Sequence, residues 1–157
     1  VKRTGRCEGF TLVELIMVII LIGVISALGI GLFARSSAFS PLLATQQLAS
    51  ATLLVQQAAL AGNPSNTLTI SQTGDRLVFD AGVNQLEINR KGASLSYRLA
   101  GGSYTGVPAS GFSVQFDPMG RLSGPVQRES IDFRVSGDSQ FDLCLSSLGA
   151  VYVGTCQ

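Results

Sequence analysis

The chain has 157 residues, enough for one folded domain with a modest core and too few for a second of similar size. A formal net charge of +1 supplies no electrostatic drive toward nucleic acid. The absence of histidine removes the commonest general base and metal ligand, so neither catalysis nor a bound cofactor or metal is expected. Apolar residues make up 46% of the chain against 13% charged, a high ratio for a soluble protein, and the excess lies in the first third.

Residues 1–9, VKRTGRCEG, are short, polar and basic, as expected of a leader kept on the cytoplasmic side of a membrane. The chain then runs through GFTLVE into Leu15–Ala34, twenty residues without a charge, about 30 Å long as a helix. That length spans a bilayer. An ordinary secretory signal ends its apolar stretch at a small-residue cleavage site; Ala27 and Gly29 imitate one poorly, and no cysteine follows closely enough for a lipoprotein. Glu14 stands at the mouth of the run. A charge held at membrane depth costs roughly 2.5–3.5 kcal/mol on insertion scales, so a retained carboxylate there points to a function.

After Arg35 a polar hinge, SSAFSP, leads into LLATQQLASATLLVQQAALAG, rich in helix formers and free of charge. Leu48, Thr52, Val55 and Ala59 form one helical stripe able to pack on a sheet, with Gln46, Gln47, Gln56 and Gln57 facing elsewhere. Gly62-Asn63-Pro64 ends this helix, and Pro41 is expected to bend it. From Thr67 the period shortens to two, with strands expected near 67–71, 76–80, 85–89, 94–99, 111–116, 130–135, 140–145 and 150–154. Asp117-Pro118-Met119-Gly120 suits a type I turn. The fold class expected is α+β: a long N-terminal helix, transmembrane in its first half and amphipathic in its second, packed on an antiparallel β-sheet. In domain terms this gives a removable leader at 1–9, an anchor helix at 10–34, its amphipathic continuation at 35–63 and a β-rich globular region at 64–157.

The segment Gly9-Phe10-Thr11-Leu12-Val13-Glu14, followed by a long apolar helix, resembles the class III signal of type IV pilins and type II secretion pseudopilins. The resemblance is strongest over residues 9–34. It implies a cut between Gly9 and Phe10 by an inner-membrane prepilin peptidase, N-methylation of Phe10, and a role for Glu14 in neutralising the terminal amine of a neighbouring subunit during assembly. It also implies residence in the bacterial inner membrane with a periplasmic C-terminal domain, and partnership with an assembly platform and other pilins. The membrane-helix proline usual in that family is missing here, with Gly29 and Gly31 near its place.

Downstream, FSVQFDPMGRLSG is similar to a segment of H-type pseudopilins and FimT-like minor pilins, and LFARSSAFSPLLATQQL resembles a minor subunit of the mannose-sensitive haemagglutinin pilus system. These likenesses imply a minor pilin of a type IV pilus. The alternatives are a pseudopilin of a type II secretion machine, or a binding module at a filament tip that acts as adhesin or DNA receptor. Some DNA-uptake relatives carry Gly-Arg-x-Arg where this chain reads Gly149-Ala150-Val151-Tyr152, so nucleic-acid binding is not expected.

Removing the leader takes away Cys7 and leaves Cys144 and Cys156, an even pair that an oxidising periplasm would let join. The alternative is two free thiols. In Phe141-Asp142-Leu143-Cys144-Leu145, alternation puts Cys144 with Asp142 on the face opposite Leu143, so a bridge would pin the tail outside the core. Ser136–Asp142 has calcium-like oxygen chemistry but lacks EF-hand spacing and reads as a hairpin turn. Arg90, Lys91 and Arg98 could form a basic patch or simply solvated strand ends.

Overall fold

The computed structural model describes residues 10–33, 40–82, 84–127 and 129–157, with side chains of the first helix described through Ala27. The leader, including Cys7 and Gly9, and the hinge at 34–39 lie outside the described residues. The chain divides into two compact units, Val1–Ser36 and Ser37–Gln157.

The first unit contributes one helix, α1 (Leu12–Phe33). Thr11 caps it: its Oγ1 accepts the Glu14 backbone N–H at 3.3 Å, and its carbonyl accepts the N–H of Leu15 at 3.2 Å. Thr11 and Glu14 hold the N-cap and N3 positions, the spacing of a capping box.

The second unit opens with α2 (Ser40–Leu60). Pro41 sits in the first described turn of α2, where its missing N–H breaks no helical bond among the described residues; the bend expected there falls against residues 34–39, outside the described residues. The stripe expected to be buried is buried: Leu48, Thr52, Val55 and Ala59 are each at most 2% exposed, joined by Ala44 and Ala51. Thr52 donates its hydroxyl to the Leu48 carbonyl at 2.7 Å, which satisfies a polar group inside this apolar face. Gly62, at φ +73, ends the helix in a Schellman motif: Asn63 N–H donates to the Ala58 carbonyl and Gly62 N–H to that of Ala59.

Ten strands follow: β1 (Thr67–Gln72), β2 (Arg76–Asp80), β3 (Gln85–Asn89), β4 (Ser94–Leu99), β5 (Thr105–Gly106), β6 (Phe112–Phe116), β7 (Leu122–Ser123), β8 (Ile131–Ser136), β9 (Gln140–Leu145) and β10 (Val151–Val153). They form two five-stranded antiparallel sheets where one sheet was expected, in the orders β3-β2-β1-β6-β7 and β10-β9-β8-β4-β5. Strands from both sheets pack on α2. The shared core contains Leu68, Ile70, Leu77, Phe79 and Phe116 from the first sheet with Leu95, Ile131, Phe133, Leu143 and Leu145 from the second, all buried. Burial of each such side chain is worth about 1.5–3 kcal/mol. Between the sheets, Phe112 stacks on Tyr97 with ring centroids 3.9 Å apart and meets Phe133 edge-on at 6.3 Å. Gln72 Oε1 on β1 accepts the Leu95 N–H of β4 at 2.6 Å, a direct bond from one sheet to the other.

Gln56 corrects the expectation that the glutamines of α2 face away from the fold. Its Nε2 donates to the carbonyls of Gly120 at 2.8 Å and Gly149 at 2.9 Å. Gly120 ends the Asp117–Gly120 turn after β6, and Gly149 lies in the turn between β9 and β10. One helical side chain thereby holds a turn of each sheet. The Asp117 turn itself forms as expected, with Gly120 N–H donating to the Asp117 carbonyl at 2.9 Å and Asp117 Oδ1 accepting the N–H groups of Met119 and Arg121.

Candidate functional site

Two regions carry the residues singled out in the sequence. In the first, Phe10 and the described part of α1 are exposed on every side. Phe10 is 84% exposed, and Leu12, Val13, Leu15, Met17, Ile19 and Leu21 are all largely exposed. Glu14 is exposed too, in the first turn, where N–H groups without helical partners favour a negative charge. Water opposes such a surface, so it requires a covering of lipid or of other polypeptide. Over the described side chains no helix is long and apolar enough to cross a membrane; the helical backbone of α1 continues to Phe33.

The second region is the C-terminal tail. Cys144 and Cys156 form a disulfide with Cα atoms 5.0 Å apart. Cys144 faces away from the main core, as alternation along β9 requires, yet it is fully buried beneath the tail. Beside it in the sheet register stands Asp132, only 5% exposed, which receives Arg98 Nε at 2.8 Å and the backbone N–H of Cys156. A buried carboxylate needs such partners, and here one of them is the tail itself. Arg134 holds Asp142 through two bonds, of 2.7 and 3.1 Å. That contact, ahead of the opposing effect of burial, raises the Arg134 guanidinium above its usual pKa.

Tyr104 lies against both arginines, its ring centroid 4.7 Å from Arg98 Cζ and 4.0 Å from Arg134 Cζ, an arrangement that favours the cations. Its hydroxyl is buried and has no hydrogen-bond partner among the described residues. Burial, more than the nearby carboxylates, pushes the phenol above its usual range, while the two arginines pull the other way. Nothing in the local sequence joins Asp132, Arg98 with Tyr104, and Arg134 to the cysteines as parts of one tail site. The alternating charges Asp132 and Arg134 on β8 were the available signal.

Metal binding does not fit this cluster. The carboxylate of Asp132 and the sulfurs of Cys144 and Cys156 lie within 4.8 Å of one another, but the sulfurs are bonded together and the carboxylate is held by Arg98 and the tail. The basic patch also dissolves into the fold. Arg90 donates to the carbonyls of Ala93 and Thr73, Lys91 takes a turn conformation at φ +44, and Arg98 pairs with Asp132. Ser136–Asp142 is the β8–β9 hairpin, with Gly137 N–H donating to the Ser139 carbonyl at 2.9 Å.

The bridge carries a measurable expectation. Closing a loop with a sequence separation of 12 contributes about 3 kcal/mol in the chain-entropy model. Replacing both Cys144 and Cys156 with Ser should lower the stability of the folded unit by about that amount. Denaturant unfolding followed by near-ultraviolet circular dichroism measures it; an unchanged midpoint would show that the bridge contributes nothing.

Residues 5–30 match the family model described as the prokaryotic N-terminal methylation motif, which points to a type IV pilin-like or pseudopilin subunit. No curated protein and no solved structure matches the chain.

Proposed function

We propose that this chain is a minor pilin of a type IV pilus, cut between Gly9 and Phe10, methylated at Phe10, anchored in the bacterial inner membrane and drawn from there into a filament. The observation that carries the reading is the methylation motif at residues 5–30, which from Leu12 onward lies on a helix whose described apolar side chains are exposed all round. In the membrane, lipid covers α1; in a filament, neighbouring helices do. The charge-free run Leu15–Ala34 supports the anchor, since about 20 apolar residues match the hydrocarbon thickness.

The second helix supports a role in assembly. α2 contains no charged residue, yet Leu42, Leu43, Leu53, Leu54 and Leu60 are exposed on it. A helix at a permanent water interface ordinarily carries charge on its outer face. An uncharged outer face beyond an apolar anchor suits contact with other subunits, served by a prepilin peptidase and an inner-membrane assembly platform. The choice of minor pilin over pseudopilin of a secretion system rests on the likeness of LFARSSAFSPLLATQQL to a minor pilus subunit, since FSVQFDPMGRLSG is similar to segments of both. The paired cysteines and the absence of histidine favour a structural protein over an enzyme.

Mass spectrometry of the protein from a host with the peptidase tests the reading. The expected product begins at methylated Phe10, and replacing Gly9 with a bulky residue should leave the leader attached. An intact leader on the wild-type chain in such a host would refute the assignment. In sheared filaments the chain should be scarce relative to another pilin; quantitative proteomics finding it dominant would make it the major subunit.

A further inference from the structure

The seam where the turn after β6 meets the turn after β9 forms a cleft of about 290 Å³, lined by Asp117, Arg121, Leu122, Gln127, Ser147 and Leu148. Bonds within the fold hold its walls. Leu122 N–H donates to the Ser147 carbonyl at 3.0 Å, Asp117 N–H to the Arg121 carbonyl at 2.9 Å, and Gln56 fastens both turns from below. A ligand entering this cleft would meet ordered backbone, which lowers the entropy lost on binding.

The distribution of arginine partners sets Arg121 apart. Arg76 pairs with Glu87, Arg98 with Asp132 and Arg134 with Asp142, while Arg90 donates to backbone carbonyls. The exposed guanidinium of Arg121 has no hydrogen bond or ion pair among the described residues. Asp117 across the cleft has Oδ1 engaged by the backbone N–H groups of Met119 and Arg121. Ser147 and Gln127 add a hydroxyl and an amide. Asp117 brings a carboxylate of its own to the lining, so the match to a ligand carboxylate rests on the planar guanidinium of Arg121, which offers two parallel N–H bonds, with Ser147 and Gln127 as neutral donors beside it.

Size and rim narrow the ligand further. The cleft falls just below the roughly 300–1,000 Å³ of sites that enclose a whole small molecule. At its edge Leu148 is 70% exposed, and Met119 in the adjoining turn is 71% exposed. An anchoring charge flanked by two exposed apolar side chains resembles the anchor of a protein-interface hot spot. We propose that this cleft binds a glutamate or aspartate side chain presented by a partner polypeptide, with apolar neighbours of that residue covering Leu148 and Met119. The site belongs to the folded unit and stands apart from the filament reading.

The test uses the full chain in detergent, isotope-labelled for amide spectra and titrated with acetyl-Leu-Glu-Leu-amide, its Gln counterpart and acetate. The Glu peptide should shift the Leu122, Ser147 and Leu148 amides saturably. The Gln peptide should bind at least about tenfold more weakly, the change expected from losing one charge-assisted hydrogen bond. Arg121→Gln should weaken the Glu peptide by a similar factor, Arg121→Lys by less, and Leu148→Ser should weaken the peptide while leaving acetate unchanged. Unaltered shifts away from the cleft establish that each variant is folded. Any of four results overturns the proposal: no saturable shift, equal binding of the Glu and Gln peptides, an Arg121→Gln variant that titrates as wild type, or acetate binding as tightly as the peptide.

Discussion

Gly149→Ala is expected to destabilise the folded unit by about 4 kcal/mol or more, a loss of the exceptional class for one methyl group. The first contribution is local: Gly149 has φ +90, where an L side chain meets its own backbone at a cost of about 1–3 kcal/mol. The larger one is spatial. A Cβ there would fall well inside 3.0 Å of both the Gly120 carbonyl oxygen and Gln56 Nε2. The carbonyl is backbone and cannot swing aside, so the turn after β9 must move off the turn after β6. That movement breaks the Gln56 clasp and strains the Leu122–Ser147 bond, each worth about 0.5–1.5 kcal/mol. Total stabilities are only about 5–15 kcal/mol, so much of the population should lose its tertiary signal. Thermal melts by near-ultraviolet circular dichroism measure the effect, and Gln56→Ala supplies the control. That change removes the clasp but leaves the carbonyl clash, so it should cost about 1–3 kcal/mol alone and fail to rescue Gly149→Ala. A Gly149→Ala melt within a degree or two of wild type would show that the two turns are not packed as described.

Much of this architecture is legible in local patterns. Strands β1 to β4 follow alternation and turn residues closely, and the buried stripe of α2 follows helical spacing, because each records which side of a short segment is wet. The two-residue strands β5 and β7 carry no period and were not expected. The division into two sheets is likewise invisible locally: it arises because β1 pairs with β6, and β4 with β8, across long intervals. Gln56 reaches carbonyls 64 and 93 residues away, so nothing near it marks it as inward-facing. The cysteine pairing is legible from parity once the expected leader with Cys7 is set aside, whereas the Asp132 anchor depends on the register of β8 against β9. At the N-terminus the Thr-x-x-Glu spacing was present within the methylation motif, and the structure adds that Thr11 caps the helix carrying Glu14.

Glu14→Val should leave the chain in the membrane and reduce its entry into filaments on the order of a hundredfold or more. The two effects separate because they depend on different terms. Insertion is governed by transfer of the apolar run, and replacing a carboxylate with valine removes a cost of roughly 2.5–3.5 kcal/mol, so anchoring should strengthen. Assembly moves the helix into contact with other helices. On the proposed reading, cleavage would leave Phe10 with a free amine, a charge in a poorly hydrated setting, and a carboxylate from a neighbouring subunit is the group suited to neutralise it. Leaving one member of such a pair without its partner costs about 3–5 kcal/mol, equivalent to about two to four powers of ten in occupancy. Thr11→Ala separates charge from helix shape: it removes the cap on α1, worth about 1 kcal/mol, while keeping Glu14. It should therefore assemble nearly as well as wild type. Glu14→Gln, which preserves size and hydrogen bonding without the charge, should behave like the valine variant. The measurement is the ratio of this chain to the principal pilin in sheared filaments against its ratio in inner membranes, for each variant expressed at equal level. A Glu14→Val chain recovered in filaments at the wild-type ratio would remove the charge-pairing role; a Thr11→Ala chain that failed equally would place the requirement in the helix start instead.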